Sequence, residues 1–146
     1  ENSHVIPALL RRFHEAVQND APRVTNWGTG SALREFLHVD DMAAASVHVM
    51  NLPNAEYEKV TEPRLSHINV GTGTDCSIKA LVETIAEVTG FTGEIAWDTT
   101  KPDGAPRKLM DSTKLNNLGW KSRYDLKSGL QHAYSWYMEN IATARQ

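Results

Sequence analysis

Residues 28–41 read GTGSALREFLHVDD, and this stretch sets the local organisation of the chain around it. Gly28 and Gly30 predict a turn, because glycine adopts the positive φ values that tight turns need. REFLHV is typical of an extended segment. Asp40 follows it in a position to cap a helix over DMAAASVHVMN. The stretch therefore predicts a turn that presents Arg34, followed by a capped helix.

On both sides of this stretch, helical and strand patterns alternate. Apolar residues recur at helical spacing in segments 6–17, 78–88 and 126–141. Ser77 and Asp125 are placed to cap the second and third of these helices, and Gly90 is placed to end the second. Compact apolar segments predict strands at RVTNW (23–27), SHINVG (66–71) and EIAWD (94–98). The order predicts a mixed α/β fold with short strands between helices.

The composition is that of one ordinary domain. The 146 residues are 40% hydrophobic and 23% charged, with a net charge of −3. Nothing in that balance resembles the basic patch of a nucleic-acid-binding protein, and no apolar run is long enough to span a membrane. Cys76 is the only cysteine, which suits a reducing compartment. We expect a single cytoplasmic domain over residues 1–146, with neither nucleic acid nor membrane as a partner.

The chain opens ENSHVIPALLRRF, with no Met and almost nothing ahead of the first helical pattern. This start favours a part of a longer protein, although processing would give the same start.

Several catalytic and metal motifs are missing. GTGTDC (71–76) lacks the third glycine of a dinucleotide-binding loop, and no tyrosine has a lysine four residues later. No G-x-S-x-G motif occurs. The six histidines form no H-E-x-x-H motif, and the acidic pair of HVDD reads as an ordinary helix start. We expect no metal site and plain turns at both glycine pairs.

Arginines on separate segments are the remaining candidates. Guanidinium groups bind phosphates through forked hydrogen bonds, so Arg12, Arg34 and Arg107 would suit a diphosphate if they converge. Trp27 could stack on a flat base or sugar face. Taken singly, each of these residues is more often a solvated surface residue.

Four segments together resemble a known family: SHVIPALLRRFHEA, WGTG followed by REFLHVDDMAAA, SHINVGTGTDCSIKAL, and KPDGAPRKLMDSTKLNNLGW. They are similar, nearly end to end, to the C-terminal half of the GDP-L-fucose synthases, which are extended short-chain dehydrogenase/reductases. REFLHVDD is shared by many nucleotide-sugar enzymes. SHVIPALLRRF and the KPDG and PRK motifs narrow the resemblance to the fucose synthases.

The resemblance implies a fold and an activity. The chain would be the substrate-binding portion of such an enzyme, without its Rossmann half. The family binds NADP on that N-terminal Rossmann domain, epimerises a GDP-4-keto sugar at two carbons and reduces its ketone. His4 would lie near the nicotinamide as a candidate acid. The substrate-binding residues carried over by the resemblance are Arg12, Trp27, Arg34 (on the diphosphate), Asp103 and Arg107.

The resemblance also implies what this chain lacks. The family's cofactor loop, catalytic Ser and Tyr-x-x-x-Lys would lie upstream of residue 1, so we expect no bound cofactor and no reductase activity for the chain alone. Without the Rossmann partner domain, apolar residues would be uncovered at Met42, Val49, Ile68 and Val70. We therefore expect a homo-oligomer or a rearrangement.

Two other functions stay open. One is a free-standing nucleotide-sugar-binding or interaction module without catalysis. The other is part of a related epimerase or dehydratase that acts on another nucleotide sugar.

Overall fold

The computed structural model describes residues 4–143 and confirms the mixed α/β order. The helices are α1 (Val5–Gln18), α2 (Val39–Met50), α3 (Asn54–Glu58), α4 (Ile78–Thr89), α5 (Thr113–Asn117) and α6 (Leu126–Asn140). The strands are β1 (Arg23–Trp27), β2 (Leu33–Arg34), β3 (Cys76–Ser77), β4 (Glu94–Asp98) and β5 (Arg107–Lys108).

The strands form two small sheets. β1 pairs in parallel with β4, in a register that sets Trp27 opposite Asp98. β2 is the central strand of the second sheet, antiparallel to β3 and parallel to β5. The predicted strands RVTNW and EIAWD are confirmed. In the predicted extended segment REFLHV (34–39) only Arg34 pairs as a strand, together with Leu33 before it.

The main core lies between α1, α4, α6 and the first sheet. Phe13 of α1 is fully buried and meets Phe91 edge-on, with ring centroids 5.2 Å apart. The apolar faces predicted from helical spacing supply most of this core, which includes Leu9, Leu10, Phe13, Leu81, Val82, Ile85 and Leu130. Ser77 and Asp125 cap α4 and α6 as predicted, and Gly90 ends α4.

A second, smaller cluster is built on Ala45, Leu115 and Trp120. Ile68 and Val70 pack against it from residues 66–71, the segment predicted as a strand. That prediction is wrong within the described residues, since the segment forms no ladder. An apolar run needs a neighbouring strand to pair with. No strand among residues 4–143 pairs with residues 66–71.

The start of α2 also differs from the prediction. His38, rather than Asp40, is the N-cap, and its Nδ1 accepts a hydrogen bond of 3.2 Å from the Asp40 amide. Asp41 is 1% exposed, and its carboxylate accepts hydrogen bonds of 3.0 Å from the amides of Arg123 and Tyr124. These bonds tie α2 to the segment that leads into α6.

The outer face of α2 carries large apolar side chains in contact with solvent. Val39 is 73% exposed, Met42 44%, Val47 56% and Met50 82%. Of the four residues expected to be uncovered, Met42 is exposed, while Val49, Ile68 and Val70 are partly buried in the second cluster. No helix within residues 4–143 has the length and apolar character needed to cross a membrane.

Candidate functional site

Trp27 ends β1 with its side chain 72% exposed, immediately before a two-glycine turn. Gly28 and Gly30 have φ values of 80° and 74°, a region that disfavours residues with a side chain. Space is also missing there, because a Cβ on Gly28 would collide with the Asp103 carboxylate and one on Gly30 with the Trp97 ring. Both glycines are therefore required for the turn that follows Trp27.

Asp103 holds this turn in place. Its carboxylate accepts hydrogen bonds of 2.6 Å from the Thr29 amide and 2.8 Å from the Thr29 hydroxyl. The hydroxyl, and then the amide, lowers the pKa of Asp103 below its usual range. Asp103 is thus an anchor for the turn beside Trp27, and its predicted contact with a ligand stays a prediction.

Residues 101–104, which we call the Asp103 loop, link Trp27 to Arg34. The Lys101 ammonium lies 5.8 Å from the centre of the Trp27 ring. At the other end of the loop, a Cβ on Gly104 would lie 3.7 Å from Nη2 of Arg34. Nη1 of Arg34 donates a hydrogen bond of 2.7 Å to the Leu33 carbonyl. Trp27 and Arg34 therefore lie on two sides of one short loop.

Arg107 reaches the same region through an ion pair. It lies on β5 in register with Leu33 of β2, and its Nε and Nη2 donate to the Asp75 carboxylate at 2.5 and 3.3 Å. The hydrogen bond from Arg107 lowers the pKa of Asp75. Asp75 and Arg34 both line an open hollow of about 510 Å³, along with Phe36 and other residues. An anion bound to Arg107 would thus have to compete with Asp75 or use the free edge of the guanidinium.

Of the five substrate-binding candidates only Arg34 lines this hollow; Arg12, Trp27, Asp103 and Arg107 do not. Nη1 of Arg12 donates a hydrogen bond of 3.3 Å to the Thr25 carbonyl, which places it beside β1. His4 is exposed at the start of α1, where its carbonyl accepts from the Ala8 amide at 3.1 Å. The structure therefore joins Trp27, Asp103, Arg34 and Arg107 in one connected region, whereas Arg12 bonds to β1 and His4 lies at the start of α1.

Glu35 is a residue of this region that the sequence analysis missed. Its carboxylate accepts hydrogen bonds from the Gly73 amide at 2.7 Å and the Met110 amide at 3.1 Å. A Cβ on Gly71 would lie 2.6 Å from a Glu35 oxygen, so a side chain there would displace the Glu35 carboxylate. Glu35 follows Arg34 directly, but its partners are 38 and 75 residues away and leave no local pattern. The GTGTDC loop thus binds a carboxylate of its own chain.

Comparison with known proteins agrees with this architecture. The model of the NAD dependent epimerase/dehydratase family matches residues 1–71. GDP-L-fucose synthase of Escherichia coli (strain K12) is 58% identical over 139 residues, which cover 95% of this chain and 43% of that protein. The chain belongs to the NAD dependent epimerase/dehydratase family. It spans about two fifths of the length of this relative.

Solved structures of the family support the same assignment. A GDP-mannoheptose C4 reductase from Campylobacter jejuni with NADP bound has a TM-score of 0.79 and 36% identity, over 94% of this chain and 46% of that chain. A GDP-L-fucose synthetase from Naegleria fowleri has a TM-score of 0.83 and 25% identity, over 99% of this chain and 42% of that chain. The fold corresponds to the C-terminal portion of an extended short-chain dehydrogenase/reductase.

Proposed function

We propose that this chain forms the GDP-sugar-binding part of an NADP-dependent epimerase-reductase that makes GDP-L-fucose. The observation that carries the proposal is the pairing of Trp27 and Arg34 across the Asp103 loop. It occurs in a chain 58% identical to a GDP-L-fucose synthase. A flat aromatic face and a guanidinium on the two sides of one short loop match the two ends of a nucleoside diphosphate.

In this proposal each residue has a defined part. Arg34 donates a forked pair of hydrogen bonds to the diphosphate, and Trp27 packs against the base or sugar. Arg107 adds positive charge once its contact with Asp75 is exchanged for phosphate. Arg12 contacts the substrate from the β1 side, and His4 lies beside the nicotinamide as the acid of the epimerisation. The last two roles rest on the family resemblance.

The GTGTDC loop does not fit the pyrophosphate of NADP. A dinucleotide loop offers free glycine amides to a pyrophosphate, whereas the Gly73 amide already donates to Glu35. The sequence also has no Tyr-x-x-x-Lys pair. We therefore propose that this chain by itself carries out no hydride transfer. NADP would bind to a Rossmann domain that partners it. The cytoplasm is the proposed compartment, which suits the free Cys76.

Calorimetric titration of the chain with GDP, UDP and dTDP tests the proposal. We expect GDP to bind most tightly. We expect Arg34→Ala to weaken GDP binding roughly tenfold or more, because it removes hydrogen bonds between charged groups. Arg64→Ala, at an exposed arginine that does not line the hollow, is the control and should bind as the parent does. Equal binding by Arg34→Ala and Arg64→Ala, or no preference for GDP, would contradict the proposal.

Trp27 provides a second readout. Trp27→Ala should weaken GDP binding and remove the fluorescence change on titration, whereas Trp136→Ala should do neither. Trp136 is the matched control because it is 56% exposed but lies on α6.

The proposal also requires that the chain alone performs no reduction. With GDP-4-keto-6-deoxymannose and NADPH, we expect no NADPH oxidation above the rate without protein, measured by absorbance. Turnover by the 146-residue chain would contradict the assignment of the reducing step to another domain.

A second candidate is a reductase of another GDP-sugar, which the 36% identity to the GDP-mannoheptose C4 reductase favours. Tighter binding of a GDP-heptose than of GDP-L-fucose would favour it. A module without catalysis is the third reading. Coding sequence for a Rossmann domain directly upstream would contradict that reading.

A further inference from the structure

Two histidines and an aspartate meet at the junction of α2 and α6, outside the proposed sugar-nucleotide site. Nε2 of His38 lies 3.1 Å from Nδ1 of His132, although the two residues are 94 positions apart. Oδ2 of Asp40 lies 3.8 Å from Nδ1 of His38. One potential ligand atom from each side chain falls within 4.8 Å of the other two. The proposed function uses none of the three.

We propose that His38 and His132 bind one divalent transition-metal ion of the zinc class, with Asp40 as the supporting carboxylate. Imidazole nitrogens bind Zn²⁺ at about 2.0–2.1 Å. Two such bonds from nitrogens 3.1 Å apart enclose an angle of roughly 98° at the ion. That angle lies between the octahedral and tetrahedral values. Because the two nitrogens face each other in a hydrogen bond, the exposed His132 ring has to move until both lone pairs point at the shared ion.

The imidazole ring of His38 is held rigidly before any ion binds. The His38 side chain is only 8% exposed, and its ring stacks on Tyr124 with centroids 4.1 Å apart. His132 packs on the same tyrosine at 5.4 Å. A fixed ring loses little conformational freedom on binding, which favours a site made from few ligands. His132 and Asp40 are exposed, so an ion can reach them from solvent.

The position of the proton on the His38 ring explains why the Asp40 carboxylate supports metal binding. Without an ion, Nδ1 of His38 accepts from the Asp40 amide, so the neutral ring carries its proton on Nε2 and donates it to His132. An ion on Nε2 requires that lone pair, and the ring proton then moves to Nδ1, which gives up the hydrogen bond from the Asp40 amide. There it faces the Asp40 carboxylate, the arrangement in which a carboxylate orients a metal-bound imidazole. Water completes the coordination.

This site would connect distant parts of the chain. His38 and Asp40 begin α2, whereas His132 lies in α6. An ion that binds only the folded arrangement stabilises it by mass action. Metal binding would therefore appear both as a titration and as a rise in unfolding temperature.

The sequence patterns argued against a metal here, because the six histidines form no H-E-x-x-H motif and the acidic pair of HVDD is typical of a helix start. The tertiary fold brings His132 of α6 to His38.

The test uses Zn²⁺ alone, added to the chain after treatment with a chelator. We expect one ion per chain by calorimetry and a higher unfolding temperature. His132→Asn should weaken Zn²⁺ binding roughly tenfold or more and abolish the temperature rise. Asparagine can still accept the proton of His38, so this variant is expected to fold, which circular dichroism without metal checks.

His67→Asn is the matched control, because His67 is exposed on the irregular segment before residue 71. It should bind Zn²⁺ as the parent chain does. Co²⁺ in place of Zn²⁺ gives a visible absorption band that reports nitrogen ligation, expected in the parent and absent in His132→Asn. No Zn²⁺ binding by the parent, or equal binding by both variants, would overturn the proposal.

Discussion

Replacing Asp41 with alanine should destabilise the fold more than any other single carboxylate change at the start of α2. Its buried carboxylate accepts two backbone hydrogen bonds of 3.0 Å, from Arg123 and Tyr124. Hydrogen bonds to a charged partner contribute about 1.5–3 kcal/mol each. The two amides are only partly buried and regain some hydration, so we expect a loss of about 3 kcal/mol. For a domain of this size, that lowers the unfolding temperature by about 10 °C.

Urea unfolding followed by circular dichroism, with a chelator present, measures this loss. Asp41→Asn keeps one acceptor oxygen and should lie between the parent and Asp41→Ala. Asp40→Ala is the matched control, since the Asp40 side chain is 51% exposed and changes there should cost well under about 1 kcal/mol. If Asp41→Ala and Asp40→Ala unfold at the same urea concentration, the two backbone bonds do not stabilise the fold as argued.

Three further outcomes are expected. Asn26→Val should stabilise the chain by about 1–3 kcal/mol in urea, because Asn26 is 3% exposed and neither polar atom of its side chain finds a partner among residues 4–143. Asp103→Asn should lower the urea midpoint at pH 7, with the difference shrinking as the pH falls below the ordinary carboxyl pKa. The lowered pKa of Asp103 means that its contribution is present above the ordinary carboxyl pKa and is lost as pH falls through the folded value. Finally, the exposed apolar face of α2 should drive self-association at high concentration, and Met50→Glu should reduce the mass measured by light scattering.

Each of these three predictions would be contradicted by a specific result. Destabilisation by Asn26→Val would mean that its amide is satisfied by buried water. A difference at Asp103 that does not shrink as the pH falls below the ordinary carboxyl pKa would point to packing rather than charge. A monomeric parent chain at high concentration would show that the α2 face does not self-associate.

The local pattern of side chains determined most of the helices. Apolar spacing predicted the cores of α1, α4 and α6, and the caps at Ser77 and Asp125 formed as expected. These features depend on residues within a few positions of one another, so they can be read from sequence. The candidate arginines and Trp27 were also named from sequence, through residue chemistry and family resemblance.

Only the tertiary structure decided which distant groups meet. Residues 66–71 have the composition of a strand but lack a neighbour to pair with among residues 4–143. Glu35, Asp41 and His132 take their roles from partners 38 to 94 positions away, which no local period encodes. Asp103 likewise anchors a turn 74 residues before it. Helix formation is a short-range property of the chain, whereas a site depends on long-range contacts that exist only once the fold has brought the segments together.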